Sequence, residues 1–217
     1  MKTLWKIVLL LLCTAVLAAC GNDLTWTEDV KLPDGRVITL KRWVEFKGGS
    51  SHLGDPSTES RQTFEFKHPT TGQNVQWEST LEQGRLKTVA LWLDKDKPQL
   101  LTEPAYGGDS IKYNCPNPPY LLYEYVASQW HAKPLSQVPL KSIRANLTTH
   151  PLQMREMIER NRQHLTEAQT SDSYTYRDGI HKVPYVIQFE GMPAQTFKED
   201  NCNYPSRVNY LLQPEGK

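Results

Sequence analysis

The pattern of hydrophobic and polar positions along the chain reads as a series of short strands joined by turns. Trp26, Val30 and Leu32 lead to Pro33-Asp34-Gly35, after which Arg36 to Val44 continues as a β-rich run. Proline presets φ and glycine accepts a positive φ, so Pro-Asp-Gly between two such runs predicts a hairpin turn. In the second run Val37, Thr39 and Lys41 fall on one face and Ile38, Leu40 and Arg42 on the other, which places the strand inside a sheet at its start. Gly48 to Ser60 reads as a polar loop. A second hairpin follows: Phe64 and Phe66 alternate with Glu65 and Lys67, His68-Pro69-Thr70-Thr71-Gly72 turns, and Val75 and Trp77 return. A third runs from Leu86 to Leu93, turns through Asp94-Lys95-Asp96-Lys97-Pro98, and returns as Gln99 to Thr102. Its first strand is apolar on both faces, with Val89, Leu91 and Leu93 on one and Ala90 and Trp92 on the other, as expected of a central strand. A fourth candidate, Tyr120 to Val126, turns near Ala127-Ser128-Gln129 toward Trp130.

One segment has the helical period. Thr149-His150-Pro151 opens it, with proline suited to the first helical position and Thr149 or His150 as the cap. Met154, Met157, Ile158 and Leu165 make a narrow apolar stripe, while Arg155 with Glu159 and Glu156 with Arg160 are i,i+4 pairs on the exposed side. Ser142 to Leu147 suggests a shorter helical turn, Thr170 to Asp178 a loop, and Val183 to Phe189 and Val208 to Leu212 two further strands. These elements predict a mainly β (α+β) fold, an antiparallel hairpin meander or sandwich with one main α-helix, in which residues 26–217 form a single domain.

The first residues follow a different grammar. Lys2 and Lys6 give a positive end, an apolar stretch opens at Ile7 to Leu12 and runs to Ala19, and small residues precede Cys20. That order is the signature of a secretory leader, and the apolar stretch is short for a membrane span. Leu17-Ala18-Ala19-Cys20 closely resembles the lipobox of bacterial lipoproteins. The resemblance implies a leader over 1–19, cleavage before Cys20, diacylglycerol on its sulfur, a fatty acyl (palmitate-type) chain on the new amino terminus, and a lipidated spacer over 20–25. Gly21 in place of an acidic residue after the cysteine implies, for this family, the outer membrane with the chain facing the periplasm. An ordinary signal peptide with a chance cysteine is the alternative. Trp26-x-Glu28-x-Val30-x-Leu32-x-Asp34-Gly35-Arg36 and Pro118-Pro119-Tyr120 also resemble a group of proteobacterial lipoproteins, a likeness that carries location and no activity.

Composition narrows the partners. Hydrophobic residues make up 38%, enough for a core, and the formal charge of +1 becomes −1 once Lys2 and Lys6 leave with the leader. No basic footprint points to nucleic acid, and lipid is the expected means of membrane attachment. Of four cysteines Cys13 departs and Cys20 takes lipid, leaving Cys115 and Cys202 as one pair in an oxidising compartment. A disulfide between them is the expectation, since two cysteines with no histidine at close zinc-ligand spacing make a poor metal site. Two free thiols are the alternative.

Catalytic grammar is sparse. The chain holds no Gly-x-Ser-x-Gly, Ser-x-x-Lys, His-Glu-x-x-His or Cys-x-x-Cys, and no cofactor loop. Gly107-Gly108-Asp109-Ser110 reads as a turn, Gly48-Gly49-Ser50-Ser51-His52 as a loop, and Asp94-x-Asp96 as a charged hairpin tip. The histidines, His52, His68, His131, His150, His164 and His181, form no ligand spacing, so no metal site is expected. Tyr106, Tyr113, Tyr120, Tyr123, Tyr125 and Trp130 cluster, with Trp26, Trp43, Trp77 and Trp92 on other strands. They either fill a β core, the favoured reading, or form a strip that binds an envelope protein or glycan. The functional expectation is a membrane-anchored, non-enzymatic binding or structural component of the cell envelope. Its alternatives are an inhibitor or exclusion lipoprotein, or an envelope hydrolase drawing on dispersed acids such as Glu65, Glu78, Glu103 and Glu124. For Glu124, alternating with Leu122 and Val126, an edge strand and a solvated carboxylate are expected.

Overall fold

Four consecutive strands, β1 (Leu24–Lys31), β2 (Val37–Lys47), β3 (Thr58–Lys67) and β4 (Asn74–Thr80), pair antiparallel in sequence order. The computed structural model describes residues 23–47, 58–105, 107–172, 186–189, 196–197 and 202. β1 starts at Leu24, inside the expected spacer, and β3 at Thr58, inside the expected loop. Period-two alternation sends Leu40, Arg42, Val44 and Phe64 inward and Lys41, Trp43 and Glu65 outward. β2 lies between β1 and β3, as its two-faced pattern suggests. At the first turn Gly35 takes a φ of +88°, where a side chain would be strained. The Asp34 carboxylate accepts the Arg36 backbone N–H at 3.0 Å and its guanidinium at 2.6 Å, and this side-chain hydrogen bond holds the carboxyl below its ordinary range.

A second meander follows. β5 (Leu86–Asp94) and β6 (Lys97–Pro104) meet through Lys95-Asp96, both at positive φ (49° and 61°), the geometry of a two-residue hairpin turn. The chain then forms α1 (Gly107–Lys112) and β7 (Pro116–Asn117) before β8 (Leu121–Val126) and β9 (Gln129–Lys133), giving the order β5-β6-β8-β9. Residues 107–110, expected as a turn, open α1 instead. Asp109 is buried there against the Arg85 guanidinium (3.1 Å) and backbone N–H (3.0 Å). His68 links the two meanders. Its Nδ1 accepts the backbone N–H groups of Thr70 and Thr71, each at 3.2 Å, so Nε2 carries the proton and donates to the Asp96 carbonyl at 2.6 Å.

The inward face of the first sheet meets two different partners. Val30, Leu40, Phe64, Phe66 and Val75 pack against Leu86, Leu91 and Leu100 of the second sheet. Leu24, Trp26, Val44 and Phe46 pack instead against Met154, Ile158 and Leu165. Met154 and Ile158 belong to α2 (Pro151–Arg160), which starts with His150 at the cap position and Pro151 at its first residue. Leu165, expected on that helix, lies beyond it in β11 (His164–Leu165), parallel to β1, and α3 (Glu167–Asp172) occupies the start of an expected loop. Between the two apolar regions runs a polar seam. Arg42 Nη1 donates to Glu28 Oε1 at 2.7 Å, and Arg42 Nη2 to Thr88 Oγ1 at 3.0 Å, while the Trp26 indole donates to Glu28 Oε2 at 3.1 Å. Glu28 is 0% and Arg42 1% exposed, so the pair has no access to water. Removing one partner from such a pair costs about 3–5 kcal/mol.

The other face of the second sheet buries Val89, Ala90, Trp92, Leu101, Tyr120 and Leu122 under Leu135, Ile143 and Ile187. Ile143 belongs to β10 (Ser142–Arg144), a strand where a helical turn was expected, paired with β12 (Val186–Gln188). β13 (Thr196–Phe197) pairs with β7. Val89 joins the face of Ala90 and Trp92, not that of Leu91, because the register slips between Thr88 and Ala90. β5 is the outermost strand of its sheet, not a central one. Its two apolar faces reflect cover from both sides, and its free edge is sealed by Asn146. That side chain accepts the Leu91 N–H (2.9 Å) and donates to the Leu91 (2.8 Å) and Lys31 (2.9 Å) carbonyls, imitating a neighbouring strand.

Candidate functional site

A cleft of about 930 Å³ lies on the β4 side of the molecule. Its wall crosses the outward face of the first sheet along Thr25, Trp43, Thr63 and Glu78, which are register partners from β1 to β4. Beyond the β4 margin it is lined by Gln83, Tyr113, Tyr123 and Trp130. Among the described residues β4 has no further strand beside it; instead the Trp130 indole N–H donates to the Gln76 carbonyl at 2.7 Å and the Gln73 amide to Ser128 Oγ at 3.0 Å. These two bonds tie the first sheet to the β8–β9 hairpin. The remaining β4 margin borders the cleft.

Alternation puts each of these side chains in place. β2 turns Trp43 outward because Val44 and Arg42 face in, and the Arg61 guanidinium lies 5.5 Å from the Trp43 ring centroid. Arg61 is held by Glu78 at 2.8 Å, and Lys41 by Glu65 at 3.4 Å, so the charges on this face cancel in pairs. Glu65 also accepts the Gln76 amide at 3.2 Å. Across the margin the Tyr113 hydroxyl donates to the Gly84 carbonyl at 2.7 Å, and burial pushes that phenol up to about 12. Burial likewise raises the Tyr123 phenol. Tyr125 and Trp130 pack together with centroids 5.1 Å apart.

The aromatic cluster read from the sequence is therefore divided. Tyr113, Tyr123, Tyr125 and Trp130 are half-buried on the side of the first core, Tyr120 is buried in the second, and Tyr106 lies outside the described residues. Trp26, Trp77 and Trp92 are buried, and Trp43 is half-buried on the outward face. Cys115 and Cys202 are bonded, with Cα atoms 5.1 Å apart. Cys20 and the lipobox, His52, His181, the 48–52 loop and the strand expected at 208–212 lie outside the described residues.

The four carboxylates considered for hydrolysis are not brought together. Glu65 and Glu78 are ion-paired on the outward face, and Glu103 is buried opposite Lys87 across β5 and β6. Glu124 is neither solvated nor on an edge: β8 lies between β6 and β9, and the carboxylate accepts the Gln99 amide at 2.8 Å and Lys133 at 3.0 Å. Burial opposes ionisation there, yet those two donors leave the Glu124 carboxyl below its ordinary range. A different acid is perturbed upward. The register slip between Glu45 and Phe46 pairs Phe46 with Glu59, and burial raises the Glu59 carboxyl despite the nearby charges of Lys87, Arg42 and Arg85. Strand periodicity alone hides this residue, because a bulge shifts the alternation. Among the described residues no three His, Cys, Asp or Glu side chains converge as a metal site, and no helix is long and apolar enough to cross a membrane. No family model, curated protein or solved structure matches the chain.

Proposed function

We propose that the protein is a bacterial envelope lipoprotein, tethered by lipid on Cys20 to the periplasmic face of the outer membrane, that binds another envelope component through the cleft beside β4. The tether rests on the Leu17-Ala18-Ala19-Cys20 sequence. The binding role rests on one observation: the cleft combines half-buried aromatic rings with charged groups that are already paired to each other. Such a wall suits recognition, where rigid rings supply contact area and fixed polar groups supply orientation. An inhibitor or exclusion role is a special case of the same reading.

Crosslinking in intact envelopes followed by pull-down tests it. A partner captured by the wild type and lost with Trp43→Ala supports the cleft as the binding surface, and equal capture by both proteins removes it. Cys20→Ser should release the protein from membranes; continued membrane fractionation would discard lipid as the anchor. A hydrolase is the second reading, and the raised Glu59 carboxyl is the observation in its favour, since general acids are tuned in this direction. Cleavage of purified envelope glycan that disappears with Glu59→Gln would replace the binding reading.

A further inference from the structure

We infer that the cleft holds an uncharged oligosaccharide lying across strands β1 to β4. The inference rests on the binding reading above and names its ligand class. The floor is the row Thr25, Trp43, Thr63 and Glu78, flanked by Lys41, Glu65 and Gln76 on the same face. Three strand spacings of about 4.8 Å make this floor roughly 14 Å long, room for a chain of several sugar rings.

Charge selects the class. Lys41 is engaged by Glu65 at 3.4 Å and Arg61 by Glu78 at 2.8 Å. An anionic ligand would meet cations already neutralised, and a cationic one would meet carboxylates in the same state. A neutral, hydroxyl-rich chain disturbs neither pair and can exchange hydrogen bonds with both. The rings fit the other half of a sugar's surface. Trp43 is half-buried with the Arg61 guanidinium 5.5 Å from its ring centroid, and Trp130, whose indole N–H goes to Gln76, packs against Tyr125, so the cleft sets aromatic carbon beside polar groups, a mixture that suits the C–H and hydroxyl surface of a pyranose. Tyr123, half-buried against the first core, is also a lining residue of the cleft, and its hydroxyl makes no hydrogen bond among the described residues. A half-buried hydroxyl left so is a group that a ligand hydroxyl would satisfy. An extended peptide is the competing occupant, adding to the β4 margin through backbone hydrogen bonds. The Gln76 carbonyl, one of the outward groups it would need, is already taken by Trp130.

The experiment titrates the full lipidated protein in detergent with chitotetraose and with cellotetraose, both neutral, and with a polygalacturonate fragment of similar length, following tryptophan fluorescence and heat. Saturable binding of a neutral chain is expected, with affinity reduced at least about tenfold by Trp43→Ala and about threefold or more by Tyr123→Phe. Trp43→Phe should keep most of it. Circular dichroism and melting of each variant guard against a folding defect. Absence of saturation with both neutral chains overturns the assignment, as does tighter binding of the anionic one or affinity indifferent to Trp43→Ala. If neither sugar binds while the envelope crosslink is still lost with Trp43→Ala, the sugar assignment falls and the binding reading stands. Capture of an extended peptide that competes at Trp43 also overturns it, in favour of a protein partner.

Discussion

The two faces of the first sheet carry the same trio of residues in opposite surroundings. Facing inward, Arg42 lies 5.1 Å from the Trp26 ring and 2.7 Å from Glu28. Facing outward, Arg61 lies 5.5 Å from the Trp43 ring and 2.8 Å from Glu78. The chemistry is nearly identical, but the side chains of the inner pair are 1% and 0% exposed and those of the outer pair 46% and 43%. Water therefore decides what each trio does. Inside, charge without its partner is severely destabilising, so the trio pins β1 and β2 in register at the boundary between two apolar clusters. Outside, solvent screens the pair, and the same groups remain available to a ligand.

Breaking the inner trio should have the largest effect. Arg42→Met leaves Glu28 buried without its guanidinium and should lower stability by about 3–5 kcal/mol in urea unfolding, whereas Glu28→Met with Arg42→Met should recover most of the loss. A single variant costing under about 1 kcal/mol would erase the distinction between the faces. Asn146→Ala comes next, at about 2–3 kcal/mol, because it strips partners from buried groups of Leu91 and from the Lys31 carbonyl. Hydrogen exchange at Leu91 should accelerate with it. A smaller, pH-dependent effect is expected from Glu59, whose raised carboxyl means that the folded state binds its proton more tightly than the unfolded chain. That contribution is full below the ordinary carboxylate range and is lost as pH rises through the folded value. Urea midpoints should show this decline, and Glu59→Gln should flatten it. Arg61→Ala should be the mildest, under about 1 kcal/mol, with its consequence in ligand binding instead of stability.

Particular residues show where local pattern suffices. The turns at Gly35, at Lys95-Asp96 and at Ala127-Ser128 close the three hairpins expected around them, and α2 begins at the expected Pro151. The pattern misleads where cover comes from afar: β5 reads as central because other layers bury both its faces, and residues 142–144 form a strand because β12 lies beside them. Glu124 reads as solvated because neither Gln99 nor Lys133 is a neighbour in sequence. Of the candidate site, the tyrosines and Trp130 were visible as an aromatic cluster and Trp43 as a strand residue. Their division between two cores and one cleft was not.

Local sequence, through the period of its side chains and the φ values its turn residues accept, determined where strands and turns would form, and it carried the lipobox that suggests an address. Only the tertiary structure decided which charges lose water and which edges are closed. Thr148 meets Glu28 across 120 positions and Asn146 meets Lys31 across 115. Burial is a property of such distant pairings, so two tryptophan–arginine–glutamate trios that look alike along the chain part company once the layers come together.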